Sequence, residues 1–95
     1  MQHKKHRHLL LAYPADMHRA GTCLSEAYGR LNIQTRCVEY HGRPPEQSFY
    51  TAFLSTATDA VLVIGKKSYA PATALPGPFL FAGERKIPAA WLPLQ

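Results

Sequence analysis

The stretch HLLLAYPADMHRAGTCLSEAYGRLNIQTRCVEY, residues 8 to 40, decides the fold of this chain. It opens with a continuous Leu-rich run, which predicts a strand over residues 7–13 that is buried on both faces, as in a parallel sheet. Pro14 ends that strand, and Asp16 offers a side-chain oxygen to the first free amides of a helix. The alternating residues 33–40 are rich in β-formers and predict a second strand nearer the sheet edge.

The residues between these two strands have helical spacing. From Met17 to about Arg30 the apolar residues recur every three or four positions, which predicts an amphipathic helix with one buried stripe. Polar residues on the opposite side, Ser25 among them, are expected to face water. The predicted stripe consists of Ala20, Leu24, Ala27, Tyr28 and Leu31.

A second helix and a third strand follow. The turn Gly42-Arg43-Pro44-Pro45 ends the second strand, and either proline suits the first turn of a helix. The run DAVLVIG, residues 59–65, predicts a third strand buried on both faces. The order strand, helix, strand, helix, strand predicts a parallel sheet with right-handed crossovers. The apolar stripe of the second helix is expected to contain Tyr50, Phe53, Leu54 and Ala57.

Residues 66–95 are rich in proline, which argues against a long third crossover helix. Residues 79–82 and 87–92 predict two strands joined at 83–86 as an antiparallel hairpin on the sheet edge; alternatively, only 86–92 form a strand. Pro88 and Pro93 are expected to be tolerated only on an edge strand. The predicted fold is a three-layer α/β sandwich, with a small, mainly parallel sheet extended by one or two C-terminal edge strands.

The length and charge of the chain limit how it can be organised into domains and tails. Ninety-five residues fit one domain, which we place at 8–95 after a basic tail at 1–7. Of the net charge of +5, Lys4, Lys5 and Arg7 supply three units. Such an arm strengthens binding to nucleic acid or any other polyanion without reading sequence, and it is just as often a solvated terminus.

The cysteines and the short apolar runs indicate where in the cell the protein is expected. No apolar run is long enough to span a bilayer, so we expect no membrane association. Cys23 and Cys37 fit no CxxC metal or redox spacing. Because the N-terminus does not have the form of an export signal, we expect two reduced, buried thiols in a cytoplasmic protein. No Cys/His spacing resembles a zinc site, so no metal or cofactor is expected.

The carboxyl ends of the predicted parallel strands form the candidate ligand site. In open α/β sheets, ligands bind where the loops after the strands converge. Positive side chains, a helix N-terminus and two tyrosines there suit a nucleotide or another anion. The favoured alternative is that Asp16 merely caps its helix, the tyrosines pack on loops and the lysines are solvated, because the sequence has no Gly-rich phosphate loop. The candidate residues are Tyr13, Asp16, His41, Arg43, Lys66, Lys67 and Tyr69.

Three aromatic residues near the C-terminus, Phe79, Phe81 and Trp91, have two interpretations. They are suited to contacting a partner protein, and they are also suited to filling the core of a short domain. If their segment packs loosely, the sheet edge is open and self-association is expected.

Two segments resemble the Toll/interleukin-1 receptor (TIR) domain family. LLLAYPAD is similar to the family's first strand and the acidic turn after it. EYHGRPPEQSFYTAFLSTATDAVLVIGKKSYA resembles its second strand, Arg-Pro loop, second helix and third strand with a Ser-Tyr turn. The resemblance covers residues 8–70 and implies a flavodoxin-like α/β fold, shortened at the C-terminus. Its most specific placements are Ala12-Tyr13-Asp16, Arg43-Pro44 and Ser68-Tyr69.

The resemblance also bears on activity. Family members that cleave NAD use a glutamate on the third helix, whereas the matching segment here is APATALPGPFLF, and Glu84 is the only acid after Asp59. The resemblance therefore implies a non-catalytic interaction module that associates with itself or a protein partner, through the loop around Arg43 and Pro44 and a sheet or helix face. The alternative is binding or processing of an NAD-like nucleotide or another anion at the strand ends. No catalytic residue is assigned.

Overall fold

A computed structural model describes residues 7–68 and 78–94 as a five-stranded sheet with two α-helices. The strand order is β2-β1-β3-β5-β4, and all neighbouring pairs are parallel except β4 with β5. This confirms the predicted mainly parallel α/β fold. The elements are β1 Arg7–Pro14, a 3₁₀ turn Ala15–Met17, α1 His18–Arg30, β2 Ile33–Tyr40, α2 Gln47–Thr51, β3 Ala60–Gly65, β4 Phe79–Ala82 and β5 Arg85–Pro93.

The side chains of the sheet alternate between two apolar layers. On one face, Leu11 and Ile64 pack beneath Ala20 and Leu24 of α1. On the other face, the core cluster contains Tyr50 of α2 together with residues of all five strands. Because successive residues of a strand point to opposite faces, a strand covered on both sides must be apolar at every position. This explains the unbroken Leu-rich run of β1 and the three-layer arrangement.

The second helix is shorter than the sequence predicts. It ends at Thr51, where the amides of Phe53 and Leu54 bond to carbonyls only three residues back, at 3.0 and 3.1 Å. This tightens the last turn and stops the helix. Tyr50 is fully buried as expected, but Ala57 is exposed, so its place on the apolar stripe was wrong.

Residues around α1 also depart from the expectations. Asp16 makes no capping hydrogen bond. Leu31 follows the last helical residue and is 69% exposed, because the chain turns away at Asn32, where φ is 67°. Cys23 and Cys37 are both exposed rather than buried. Cys23 lies on α1, and Cys37 lies on β2, which among the described strands pairs only with β1.

Ser25, expected to face water, is half-buried. Its hydroxyl forms a hydrogen bond with the hydroxyl of Thr35 on β2. The contact ties the middle of α1 to the edge strand.

The C-terminal residues form the predicted hairpin. Gly83 has a φ of 65° at the first central position of the two-residue turn, which matches a type II′ turn. β5 pairs antiparallel to β4 over residues 85–88 and parallel to β3 over 89–93. Pro88 lies at this change of partner and Pro93 at the last pair. The expected edge strand is wrong for β5 as a whole, which lies between β3 and β4. Each proline nevertheless pairs on one side only, Pro88 with Phe79 of β4 and Pro93 with Gly65 of β3.

Candidate functional site

The predicted ligand site lies where β1, β2 and β3 end, and its central residue is part of the core. Tyr13 is only 4% exposed, and its ring lies against Gly21 of α1 and edge-on to His18, with 6.2 Å between ring centroids. Burial raises the pKa of Tyr13, and the neighbouring Cys37 and Glu39 raise it further. The ring therefore packs between sheet and helix instead of presenting a face to a ligand.

Two other predicted residues contact each other. The Lys66 ammonium lies 2.7 Å from a carboxylate oxygen of Asp16, joining the loop after β3 to the loop after β1. Asp16 thus serves as an ion-pair partner rather than as the helix cap that its position in the sequence suggested. The pair offsets the positive charge that was to attract an anion.

The other predicted residues are placed separately. His41 and Arg43 are exposed in the loop after β2, and Lys67 is exposed after β3. Since β2 and β3 flank β1, these loops lie about 10 Å apart across the sheet. Tyr69 lies outside the described residues, as do Lys4 and Lys5 of the tail.

A second side-chain contact at these strand ends was not predicted. His18 Nδ1 at the start of α1 lies 2.6 Å from a carboxylate oxygen of Glu39 on β2, and the other ring nitrogen lies 3.5 Å from the Thr22 hydroxyl. The two residues are 21 apart in the sequence, so no local pattern reveals the contact. These strand ends therefore carry two long-range side-chain contacts, the Lys66–Asp16 ion pair and the His18–Glu39 hydrogen bond.

Among the described residues, two cavities lie at the other end of the strands, near the amino ends of β1 and β2. One of about 310 Å³ is bounded by Leu10, Arg36 and the loop at Ser55, and one of about 410 Å³ lies beside Gly29 and Asn32. Both lie away from the predicted site.

The half of the sheet formed by β5 and β4 has an open apolar face. Phe79 and Phe81 are 37% and 49% exposed, and Leu92 is 37% exposed. Cross-strand pairing and alternation place these side chains on the α1 side of the sheet, whereas α1 packs over β1 and β2. The Lys86 ammonium lies 5.0 Å above the Phe79 ring. We call the exposed apolar side chains of β4 and β5 the open face.

Of the three C-terminal aromatics, Phe79 and Phe81 are exposed, so the expectation that they fill the core does not hold for them. Trp91, the third, points to the opposite side, where it packs against the main core and against Gly65. Apolar side chains in water favour contact with another apolar surface, so the open face is suited to protein association.

The edge of β4 adds backbone groups to this surface. In the described part of the chain, β4 pairs on one side only, with β5. Its sequence, Phe-Leu-Phe-Ala, contains neither charge nor proline, which are the usual protection of an edge strand. β2 at the other edge carries exposed Arg36 and Glu39.

No known protein family, curated protein or solved structure matches this chain. Among residues 7–68 and 78–94, no three His, Cys, Asp or Glu side chains cluster closely enough to hold a metal ion. In the same residues, no helix has the length and hydropathy needed to cross a membrane.

Proposed function

We propose that this protein is a small, non-catalytic, TIR-like interaction module that associates with a second copy of itself through the open half of its sheet. The observation that carries the proposal is the exposure of Phe79 and Phe81 beside an unprotected edge strand. Apolar surface and unpaired strand edges both favour association, and here they coincide.

The size of the open face suggests a weak association. The exposed parts of the two phenyl rings amount to about 170 Å² on each copy, if a full side chain exposes about 200 Å². Stable complexes bury about 800 Å² on each partner. We therefore expect a dissociation constant of about 0.01–1 mM, so that self-association depends on local concentration.

The proposal is tested with two matched glutamate variants. Phe81→Glu places a charge on the open face, where it also lies opposite Lys86 and so keeps a favourable cross-strand pair within the monomer. Leu31→Glu replaces another exposed, large apolar side chain, which follows α1 and lies away from the open face. By size-exclusion chromatography with light scattering, Phe81→Glu should weaken dimerisation by a factor of about ten or more, and Leu31→Glu should not. Equal effects of both variants would refute the open face as the interface.

Nucleotide binding at the strand ends is the alternative function, and the geometry supports it less well. Lys66 already pairs with Asp16, and the Tyr13 ring is buried. Titration of the ¹⁵N-labelled protein with NAD tests it. Shifts clustered at residues 13–16, 41–43 and 66–68 would favour the alternative, and release of free nicotinamide would contradict the non-catalytic proposal.

A further inference from the structure

The hydrogen bonds of the hairpin determine which backbone groups of β4 face outward. The Ala89 amide donates to the Pro78 carbonyl at 2.7 Å, and Leu80 is paired with Ile87. In an antiparallel ladder, directly bonded pairs alternate with non-bonded pairs. Leu80 and Ala82 therefore direct their N–H and C=O groups toward β5, while Phe79 and Phe81 direct theirs toward the open edge.

The outward groups are self-complementary in one register. When two β4 strands are antiparallel across a two-fold axis at Leu80, Phe79 of one copy lies opposite Phe81 of the other. Both residues have outward N–H and C=O groups, so the two symmetry-related pairs form four backbone hydrogen bonds. Within the described residues 78–82, centring the axis on Phe79 or on Phe81 instead leaves fewer outward groups opposite one another. A two-fold axis is also the commonest symmetry of homodimers.

We infer that two copies join edge to edge through antiparallel pairing of β4 with β4, with Leu80 on the two-fold axis. This inference rests on the proposed function and specifies its geometry. The five-stranded sheets of the two copies become one continuous sheet. On its open face, the Phe79 side chain of each copy lies directly across from the Phe81 side chain of the partner, and aromatic cross-strand pairs of this kind stabilise a sheet.

Two features favour a second copy as the occupant of this edge. β4 contributes only four residues, so a partner strand gains few backbone bonds unless its own outward groups match them. An identical strand matches by symmetry, and it brings the same pair of phenyl rings to the same face. The absence of charge in β4 removes the repulsion that would oppose two identical strands.

Amide hydrogen exchange measured by NMR at two protein concentrations tests the register. At a concentration where the dimer predominates, the Phe79 and Phe81 amides should exchange about tenfold more slowly than in the monomer. The Leu80 and Ala82 amides, which bond to β5 in both states, should not change. Phe81→Glu at the same high concentration is the control and should show monomer exchange rates at Phe79.

A mixed dimer of ¹³C-labelled and unlabelled chains gives a second measurement. Leu80 on the axis forms a non-bonded pair with its counterpart, in which the two Cα atoms lie about 4.5 Å apart. A filtered Overhauser experiment should therefore show contact between the two Leu80 α-protons. A dimer without this contact and without slowed exchange at Phe79 and Phe81 would overturn the edge-to-edge geometry while leaving self-association standing. A monomer at every concentration would overturn both.

Discussion

The close approach of Tyr13 to α1 predicts opposite effects for the same substitution at two glycines of one helix. A Cβ at Gly21 would lie 2.4 to 2.6 Å from three ring atoms of Tyr13, whereas a Cβ at Gly29 would have no neighbour within 4 Å. Carbon atoms in contact are normally about 3.5–4.0 Å apart, so Gly21→Ala must move either the ring or the helix by about 1 Å.

The magnitudes follow from packing and helix propensity. Overpacking costs about 1–3 kcal/mol, and replacing a helical glycine with alanine returns up to about 1 kcal/mol. Gly21→Ala should therefore lower the free energy of unfolding by up to about 2 kcal/mol and the Tm by up to about 16 °C. Gly29→Ala gains the helix propensity alone and should raise the Tm by about 2–8 °C.

Thermal and urea unfolding followed by circular dichroism measure both effects, with Gly29→Ala as the matched control. A Gly21→Ala protein with a Tm at or above that of the wild type would refute the reasoning. It would mean that the Tyr13 ring leaves its buried position readily, and so becomes available at the strand ends for a ligand.

Three further predictions concern Tyr50, Arg85 and the two cysteines. The Tyr50 hydroxyl is buried and has no hydrogen-bond partner among the described residues, so Tyr50→Phe should leave the protein equally stable or up to about 1 kcal/mol more stable in urea unfolding. Burial, with a smaller contribution from Tyr40, also raises the pKa of Tyr50 above its ordinary value of 10.0. The folded state therefore holds this proton more tightly than the unfolded state. The stability is fully present below about pH 10 and falls as the pH rises toward the folded-state pKa, and this loss should be smaller in Tyr50→Phe. Arg85→Ala removes the guanidinium that donates to the carbonyls of Ser55 and Thr58, so it should lower the free energy of unfolding by about 1–2 kcal/mol. An unchanged urea midpoint would contradict a stabilising role for these hydrogen bonds. Cys23 and Cys37 are exposed, so a thiol reagent should modify two groups per native chain, and unreactive thiols in the native protein would contradict their exposure.

The elements with long apolar patterns were predictable from the sequence. β1 from Leu10 onward and most of β3 are buried, and both therefore have apolar runs without charged residues. α1 keeps its helical spacing over 13 residues. α2 was predicted too long because its stripe includes Phe53 and Leu54, which reach the core from a tightened turn after the helix. Periodicity alone does not distinguish these two arrangements.

The candidate site was less predictable because its contacts are long-range. Asp16 and Lys66 are 50 residues apart, and local patterns predict only a helix cap for Asp16 and a solvated side chain for Lys66. Likewise, a hairpin was foreseen at residues 79–92, but not that β5 would divide its pairing between β4 and β3. That division makes β4 the edge strand and leaves the phenyl rings of Phe79 and Phe81 open.

Sedimentation velocity of the wild-type chain from about 1 µM to 1 mM tests self-association most directly, because this range spans the expected dissociation constant. We expect a reversible shift from the 10.6 kDa monomer to a species of twice that mass, without larger aggregates. A single 10.6 kDa species throughout would contradict the proposed interaction module. Open-ended growth into larger particles would contradict a closed two-fold dimer formed through β4.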